Sequence, residues 1–130
     1  MASSYYKPCK ELDRCLDLDK YWEKDMKKWF EEYLIIAEET SYPLAECQVG
    51  YAYFEGIGTK KNLEKALYWT TRAAEHGDRD GQYNLAWIYE EGLCGEKDLE
   101  KAKYWYKKSA LQDHDLSIEK CKVLGVYEWK

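Results

Sequence analysis

The sequence is poor in proline and histidine, which limits both its fold and its chemistry. Only two prolines and two histidines occur among the 130 residues. Proline interrupts helix interiors, and histidine is the most frequent general base, so few helix breakers and few acid–base candidates are present. Glu, Lys, Leu and Ala are plentiful and favour helix. The composition therefore predicts an all-α chain.

Long apolar runs are also missing. No stretch approaches the roughly eighteen apolar residues that a membrane helix requires. The first residues, MASSYYKPCKELDR, have no apolar centre of the kind found in secretory signals. We therefore predict no membrane association and a cytoplasmic location.

The five cysteines form no CxxC pair, and their number is odd. This pattern fits free thiols in a reducing compartment better than a disulfide framework, and it lacks the usual spacing of zinc ligands. The histidines, His76 and His114, each lie beside acids at a predicted helix end, where they can complement the helix dipole. The sequence thus predicts no metal, no cofactor and no enzymatic activity.

Positive charge is outnumbered. The formal net charge is -5 and the pI is about 5.2, which favours a basic partner and opposes nucleic acid or an anionic membrane. Residues 101–108, KAKYWYKK, interleave lysines with aromatics and offer an RNA-stacking alternative. The overall acidity and the place of Trp105 in the repeat described next argue against that alternative.

The sequence does contain an internal repeat. Shifting the chain by 36 residues aligns 45–77 with 81–113, and eleven of these thirty-three positions are identical. Identity is densest where NLEKALYW, from Asn62, meets DLEKAKYW, from Asp98. A fixed period of this size is typical of a solenoid, in which each helical unit buries its apolar side against its neighbours.

Each copy is predicted to be two helices joined by a glycine-containing loop. The first helix carries apolar residues at three- and four-residue steps and stops at Gly56, which can adopt the left-handed conformation. Asn62 and Asp98 are good N-caps for the second helices. The second helix of the first copy is predicted to end at His76-Gly77.

We predict one domain built as a short α-solenoid of antiparallel helix pairs, with half-repeats covering the ends of its core. Within the N-terminal part, WFEEYLIIAEET is predicted to be a diverged second helix that begins as early as Asp19. A short capping helix is predicted around Leu12, Cys15 and Leu16. The predicted units are an N-terminal cap and half-repeat at 1–44, repeats at 45–80 and 81–114, and a C-terminal half-repeat at 115–130, together spanning 1–130.

The two copies resemble the Sel1-like repeat, a relative of the tetratricopeptide repeat with a longer inter-helix loop. The resemblance rests on AECQVGYAYFEGIGTKKNLEKALYWTTRAAEHG and GQYNLAWIYEEGLCGEKDLEKAKYWYKKSALQD. Its specific marks are the spacing of Gly50 and Tyr53, the GIG turn from Gly56, and KA followed by YW and AA from Lys65. It implies an adaptor or scaffold for other proteins and no chemistry.

Three departures from the repeat pattern occur in the second copy. Cys94 replaces Gly58, Ser109 replaces Ala73, and Asp113 replaces the terminal Gly77. The second loop and helix end are therefore expected to differ in shape. A cysteine-rich branch of the family is linked to penicillin binding and β-lactamase-like activity. The cysteines here do not follow the repeat period, so that activity is not carried over.

The candidate binding face follows from the repeat. The first helices of successive units line the concave side of superhelical repeats. Positions that differ between the copies are not required for packing between helices and are available for binding. Aromatics at such positions are common binding anchors, and nearby acids would surround them with negative charge. Alternatively, Tyr83 and Trp87 pack between adjacent first helices, and Glu55 and Glu91, identical in both copies, serve the turn. The predicted partner-binding residues are Tyr51, Tyr83, Trp87, Glu55, Glu90 and Glu91.

The sequence therefore predicts a non-enzymatic module that binds one basic protein. A compact acidic binder is suited to be a dedicated inhibitor, such as an immunity protein that covers a basic nuclease-type toxin. The alternative is a signalling or secretion-system adaptor, which binds without blocking an activity. An enzyme or an RNA-binding protein is disfavoured.

Overall fold

The computed structural model describes residues 5–127, in which helices follow one another without a strand. The ends of the two predicted caps, residues 1–4 and 128–130, lie outside this range. None of the helices within it has the length and apolar composition needed to span a bilayer. The elements are α1 (Lys10–Asp17), a 3₁₀ helix (Leu18–Tyr21), α2 (Met26–Thr40), α3 (Pro43–Glu55), α4 (Leu63–Glu75), α5 (Arg79–Glu91), α6 (Leu99–Ala110) and α7 (Asp115–Val123).

Each helix packs on the next one along the chain, and α3 with α4 and α5 with α6 form the most extensive pairs. The same helix pair is thus repeated, with α2 before it and α7 after it. This arrangement confirms the prediction of an all-α solenoid. Helices α3 and α5 begin at Pro43 and Arg79, and Asp78 is the N-cap residue of α5.

Local sequence chemistry sets the helix ends as predicted. The side chains of Asn62 and Asp98 accept hydrogen bonds from the backbone N–H groups of Lys65 and Lys101, each at 3.0 Å. These contacts satisfy donors that a helix start leaves unpaired. Gly56 ends α3 with a left-handed φ of 75°.

The second copy keeps the main features of the first loop despite its substitutions. The N–H of Asn62 donates to the carbonyl of Tyr53 at 2.8 Å, and the N–H of Asp98 donates to that of Tyr89 at 2.9 Å. Asp113 adopts a φ of 60°, in the left-handed region that Gly77 also occupies. Helix α6 nevertheless ends one residue earlier in register than α4.

The N-terminal part corrects one prediction. Helix α1 contains the residues around which a capping helix is predicted, but α2 begins at Met26 and not as early as Asp19. Glu23 has a φ of 66°, which breaks any continuous helix through this point. The side chain of Asp25 then caps α2 by accepting the N–H of Lys28 at 3.1 Å.

The core consists of two apolar clusters. The larger one is centred on aromatic and branched residues of α2 and α3, including Trp29, Tyr33 and Val49. The smaller one surrounds Tyr106 and Cys121 in α5, α6 and α7. Small residues of α4 and α5 close the space between the two repeats.

Glycine permits closest approach within the first repeat. A Cβ on Gly50 would overlap the hydroxyl oxygen of Thr70 and lie 3.0 Å from the Thr70 backbone nitrogen. Ala86 and Tyr106 occupy the equivalent positions of the second repeat. Helix α3 therefore touches α4 almost backbone to backbone.

We expect Gly50→Ala to lower the free energy of unfolding by about 1–2 kcal/mol. Alanine normally stabilises a helix interior by about 1 kcal/mol over glycine, whereas overpacking costs about 1–3 kcal/mol. Because the new Cβ would overlap Thr70, we expect the cost of overpacking to exceed the gain in helix propensity. Urea denaturation followed by circular dichroism measures the change. The loss should shrink in a Thr70→Ala background, and a more stable Gly50→Ala protein would contradict the close approach.

Candidate functional site

A groove crosses the first helices of successive units. Its volume is about 450 Å³, and its walls come mainly from α1, α3, α5 and α7. Tyr6, Asp19 of the 3₁₀ helix and Tyr33 of α2 also contribute to it. The helix pairs position it, because each second helix packs behind its first helix and leaves the opposite side open. Side chains that line this groove include Leu16, Gln48, Tyr51, Tyr83, Asn84 and Leu116.

Two predicted anchors are accessible. Tyr51 on α3 is 43% exposed, and Trp87 on α5 is 38% exposed. The Trp87 ring meets the Phe54 ring edge to face, with 5.9 Å between centroids. Trp87 is therefore held in place by one ring while much of its surface stays open to a partner.

Tyr83 is more deeply engaged than Trp87. Its ring stacks on His114, the N-cap residue of α7, at 4.9 Å between centroids and lies 5.6 Å from the ring of Tyr106. Tyr83 thus packs between the adjacent first helices α5 and α7 while still forming part of the groove wall. Packing against its neighbours and exposure to the groove coexist at this residue.

Glu90 is paired inside the fold. One of its carboxylate oxygens accepts hydrogen bonds from the Tyr106 hydroxyl at 2.7 Å and from the Lys120 ammonium at 3.0 Å. Burial raises the pKa of Glu90, but these two bonds outweigh burial, and the pKa lies below its usual value. The carboxylate therefore joins α5, α6 and α7.

Glu55 and Glu91 differ from Glu90. They are the last residues of α3 and α5, both are exposed, and neither forms an ion pair with any residue in the range 5–127. Their carboxylates face solvent just before the glycines that end the helices. These charges are available to a partner.

A narrower cleft opens from the groove between α3 and α5, with a volume of about 100 Å³. Sequence reasoning named Tyr51, Trp87 and Glu55 but gave no role to the residues beside them. The detectable signal was a difference between copies, since Thr70 stands where the second repeat has the much larger Tyr106. The cleft is lined by Tyr51, Phe54, Glu55, Thr70, Asn84 and Trp87.

Three side chains near the groove form a serine–histidine–aspartate sequence of hydrogen bonds. Nε2 of His114 lies 2.9 Å from Asp80, and Nδ1 lies 3.1 Å from the hydroxyl of Ser117. Ser117 is fully buried, so no substrate carbonyl can reach its hydroxyl. The His114 Nδ1 also accepts the Ser117 N–H at 3.3 Å, which makes His114 the N-cap of α7.

Asp78 is a buried acid that the sequence did not reveal. It caps α5 by accepting the Gly81 N–H at 2.8 Å, and it accepts the Tyr6 hydroxyl at 2.7 Å. Burial raises the pKa of Asp78 above its usual value, although both hydrogen bonds oppose the rise. The N-terminal segment is thereby tied to the junction between the repeats.

His76 serves the fold. Its Nδ1 lies 2.6 Å from the fully buried carboxylate of Glu46, which also accepts a hydrogen bond from Arg72 at 3.0 Å. The second copy makes the same contact with neutral groups, since Gln112 donates to Gln82 at 3.0 Å. The equivalence indicates a packing role for this histidine.

The lysine-rich segment 101–108 does not present a stacking surface. Tyr106 is buried, Trp105 is half-buried against the smaller apolar cluster, and Tyr104 is exposed. Base stacking along a strand requires several accessible rings. In this segment Tyr104 is the only one of the three aromatic side chains that is exposed.

No metal-binding arrangement was found in the described part of the chain, where no three or more His, Cys, Asp or Glu side chains form a suitable group. All five cysteines are free, and Cys15, Cys47 and Cys121 are buried. Burial raises the pKa of the Cys47 thiol, so this cysteine is held in its unreactive form.

These features define a tetratricopeptide-like helical solenoid with an open groove on its first helices. The Sel1 repeat family model matches residues 43–78 and 79–114, and the chain belongs to this family. Proteins with this fold generally serve as protein–protein interaction modules.

Several relatives support the assignment. A putative Sel1-like repeat-containing protein of Acanthamoeba polyphaga mimivirus is 36% identical over 50 residues, which cover 38% of this chain and 9% of that protein. The crystal structure of a Sel1 repeat protein from Oxalobacter formigenes matches with a TM-score of 0.78 and 32% identity, covering 88% of this chain and 45% of that one. The chain thus spans less than half the length of these relatives.

Two further structures show the same fold. A protective antigen of uropathogenic Escherichia coli strains, which displays an SLR fold, matches with a TM-score of 0.79 and 26% identity over 88% of this chain and 26% of its own. Cysteine rich protein B of Helicobacter pylori matches with a TM-score of 0.74 and 22% identity over 84% of both chains. The likeness to the second protein concerns the fold alone.

We expect Glu90→Gln to lower the free energy of unfolding by roughly 1 kcal/mol at pH 7, because it removes a charged hydrogen-bond acceptor that is largely buried. The folded-state pKa of Glu90 lies below its usual 4.5. The stabilisation is therefore complete above pH 4.5 and is lost as the pH falls through the lowered value. Urea denaturation between pH 7 and pH 3 measures the difference.

Glu91→Gln provides the matched control for this stability measurement. Its carboxylate is exposed and unpaired among the described residues, so the change should stay within about 0.5 kcal/mol at every pH. Equal effects of the two substitutions would contradict the structural role of Glu90.

Proposed function

We propose that this chain is a non-enzymatic binding module whose groove holds one basic partner protein. The observation that carries the proposal is the groove together with the cleft that opens from it, which is lined by the exposed rings of Tyr51 and Trp87 from adjacent first helices. Tyrosine and tryptophan are enriched among the residues that dominate binding energy. Two full repeats offer room for about one standard interface of about 800 Å² per partner.

The charge distribution supports a basic partner. The chain carries a net charge of -5, and Glu55 and Glu91 present exposed carboxylates at the ends of the first helices. The lysines of α6 lie on a second helix. A basic surface would be steered towards the groove side, and salt would weaken that attraction.

A dedicated inhibitor is the specific form of this function that we favour. One groove and a small acidic surface suit a single client, such as a basic nuclease-type toxin covered by an immunity protein. The five free cysteines are compatible with a reducing compartment, and a cytoplasmic location belongs to the same proposal.

An adaptor for signalling or secretion is the second candidate. It is favoured by the length of the relatives, since this chain covers only 45% and 26% of two matched structures. Longer arrays offer more surface and can hold several clients. An adaptor would bind its partner without blocking the partner's activity.

The combined change Tyr51→Ala and Trp87→Ala should weaken partner capture at least tenfold, equivalent to about 1.4 kcal/mol. The protein should keep its helicity, because both side chains are substantially exposed. The measurement is capture from the native host's lysate with mass spectrometry at low and high salt, followed by titration of the purified partner.

The matched control is Tyr68→Ala with Tyr104→Ala, which removes two exposed rings from the second helices. The proposal predicts a basic protein captured by the wild type and the control, released by salt, and lost with the groove variant. Equal capture by both variants would overturn it. Assaying the partner's own activity in the complex separates an inhibitor from an adaptor.

A further inference from the structure

We infer that the cleft between α3 and α5 receives one basic side chain, an arginine or a lysine, projecting from the partner protein. This inference rests on the proposed function and names the chemistry that its central contact recognises.

The walls of the cleft suit a cation. The rings of Tyr51, Phe54 and Trp87 line it, and Glu55 stands at its edge. Aromatic faces attract ammonium and guanidinium groups, and partial desolvation strengthens the attraction. A nearby carboxylate adds a charge-assisted hydrogen bond. Rings and a carboxylate together favour a positive side chain over a neutral apolar one.

The second repeat shows what occupies the equivalent cleft. Lys120 lies 36 residues after Asn84, and its ammonium is 3.0 Å from the Glu90 carboxylate and 5.9 Å from the centroid of the Tyr106 ring. The chain thus places its own cation between a carboxylate and an aromatic ring. The cleft between α5 and α7 is filled from within.

The first cleft lacks this internal occupant. Asn84 replaces the lysine, and its side chain lies near the Cys47 sulfur at 3.7 Å. Thr70 replaces Tyr106 and sits against Gly50, which leaves a volume of about 100 Å³ open. Among residues 5–127, no cation pairs with Glu55. In the first cleft Phe54 stands where the second repeat has Glu90, and the unpaired carboxylate is Glu55, the counterpart of Glu91. A carboxylate beside aromatic rings is therefore open to a cation from outside.

Lys61 lies beside one wall of the cleft. Its ammonium lies 5.9 Å from the centroid of the Phe54 ring, and the residue is exposed. The ring thus already attracts a positive group, while Glu55 stays unpaired. An entering guanidinium or ammonium can displace an exposed lysine at small cost, because such pairs are weak at the surface.

The test uses single amino acids and requires no knowledge of the partner. The probes are N-acetyl-arginine amide and N-acetyl-lysine amide, with N-acetyl-citrulline amide as the neutral isostere of the first. NMR follows the indole N–H of Trp87, which is assigned with Trp87→Phe. We expect both cationic probes to shift this signal with about millimolar affinity and citrulline to bind at least about tenfold more weakly.

Variants of the cleft sharpen the test. Asn84→Lys with Thr70→Tyr places the lysine and the tyrosine of the second repeat in the first cleft, where they should fill its space and reduce arginine binding about tenfold or more. Glu55→Gln keeps the shape, removes the charge and should weaken binding about threefold or more. Glu75→Gln is the control, since Glu75 is an exposed carboxylate outside the cleft and its change should leave binding within about twofold.

Circular dichroism checks that each variant folds, and Glu55→Gln gives a result even where the double variant does not fold. Equal binding of citrulline and arginine, or unchanged binding in Glu55→Gln, would overturn the inference. These results are separable from the proposed function. The variant Tyr51→Ala with Trp87→Ala could lose partner capture while the wild type fails to bind the arginine probe. That result would support partner binding at the groove and would reject the cleft as a site for a basic side chain.

Discussion

Close contact between helix backbones is the constraint on which the architecture depends. Gly50 lies against Thr70 within the first repeat, and a Cβ on Gly81 would lie 2.9 Å from the Cβ of Ala73 across the repeat junction. Small residues allow ridges of one helix to settle deeply against the next. The first helices consequently stand in a fixed row, and the groove is the open side of that row.

Buried polar contacts connect the two repeats where the apolar clusters do not. The two clusters lie in different repeats, and buried polar side chains occupy the junction between them. Asp78 accepts hydrogen bonds from the Gly81 N–H at the start of α5 and from the Tyr6 hydroxyl. Gln82 donates a hydrogen bond to the carbonyl of Ala74. Unpaired polar groups at this depth would be costly, so these bonds restrict how one repeat can rotate against the other.

Local chemistry explains which features the sequence could predict. The caps at Asn62 and Asp98 and the helix end at Gly56 depend on neighbouring residues, so the repeat made them visible. The pairing of Glu90 with Lys120 joins residues 30 positions apart, and the break at Glu23 reflects a left-handed backbone. Neither feature recurs with the 36-residue period, so comparing the two copies could not reveal it. The cleft could not be predicted from the sequence, because it depends on how the helices pack. Its space is left by the small side chain of Thr70 on α4, behind the two helices that form its walls.

In the proposed function, the unequal occupation of the two clefts would fix the alignment of a bound chain. The repeats place equivalent positions 36 residues apart, so a long ligand could otherwise bind in two frames displaced by one unit. Lys120 already pairs with Glu90 in the second cleft. A basic side chain would then find only the first of these two clefts open, which would give the array a direction and a single reading frame.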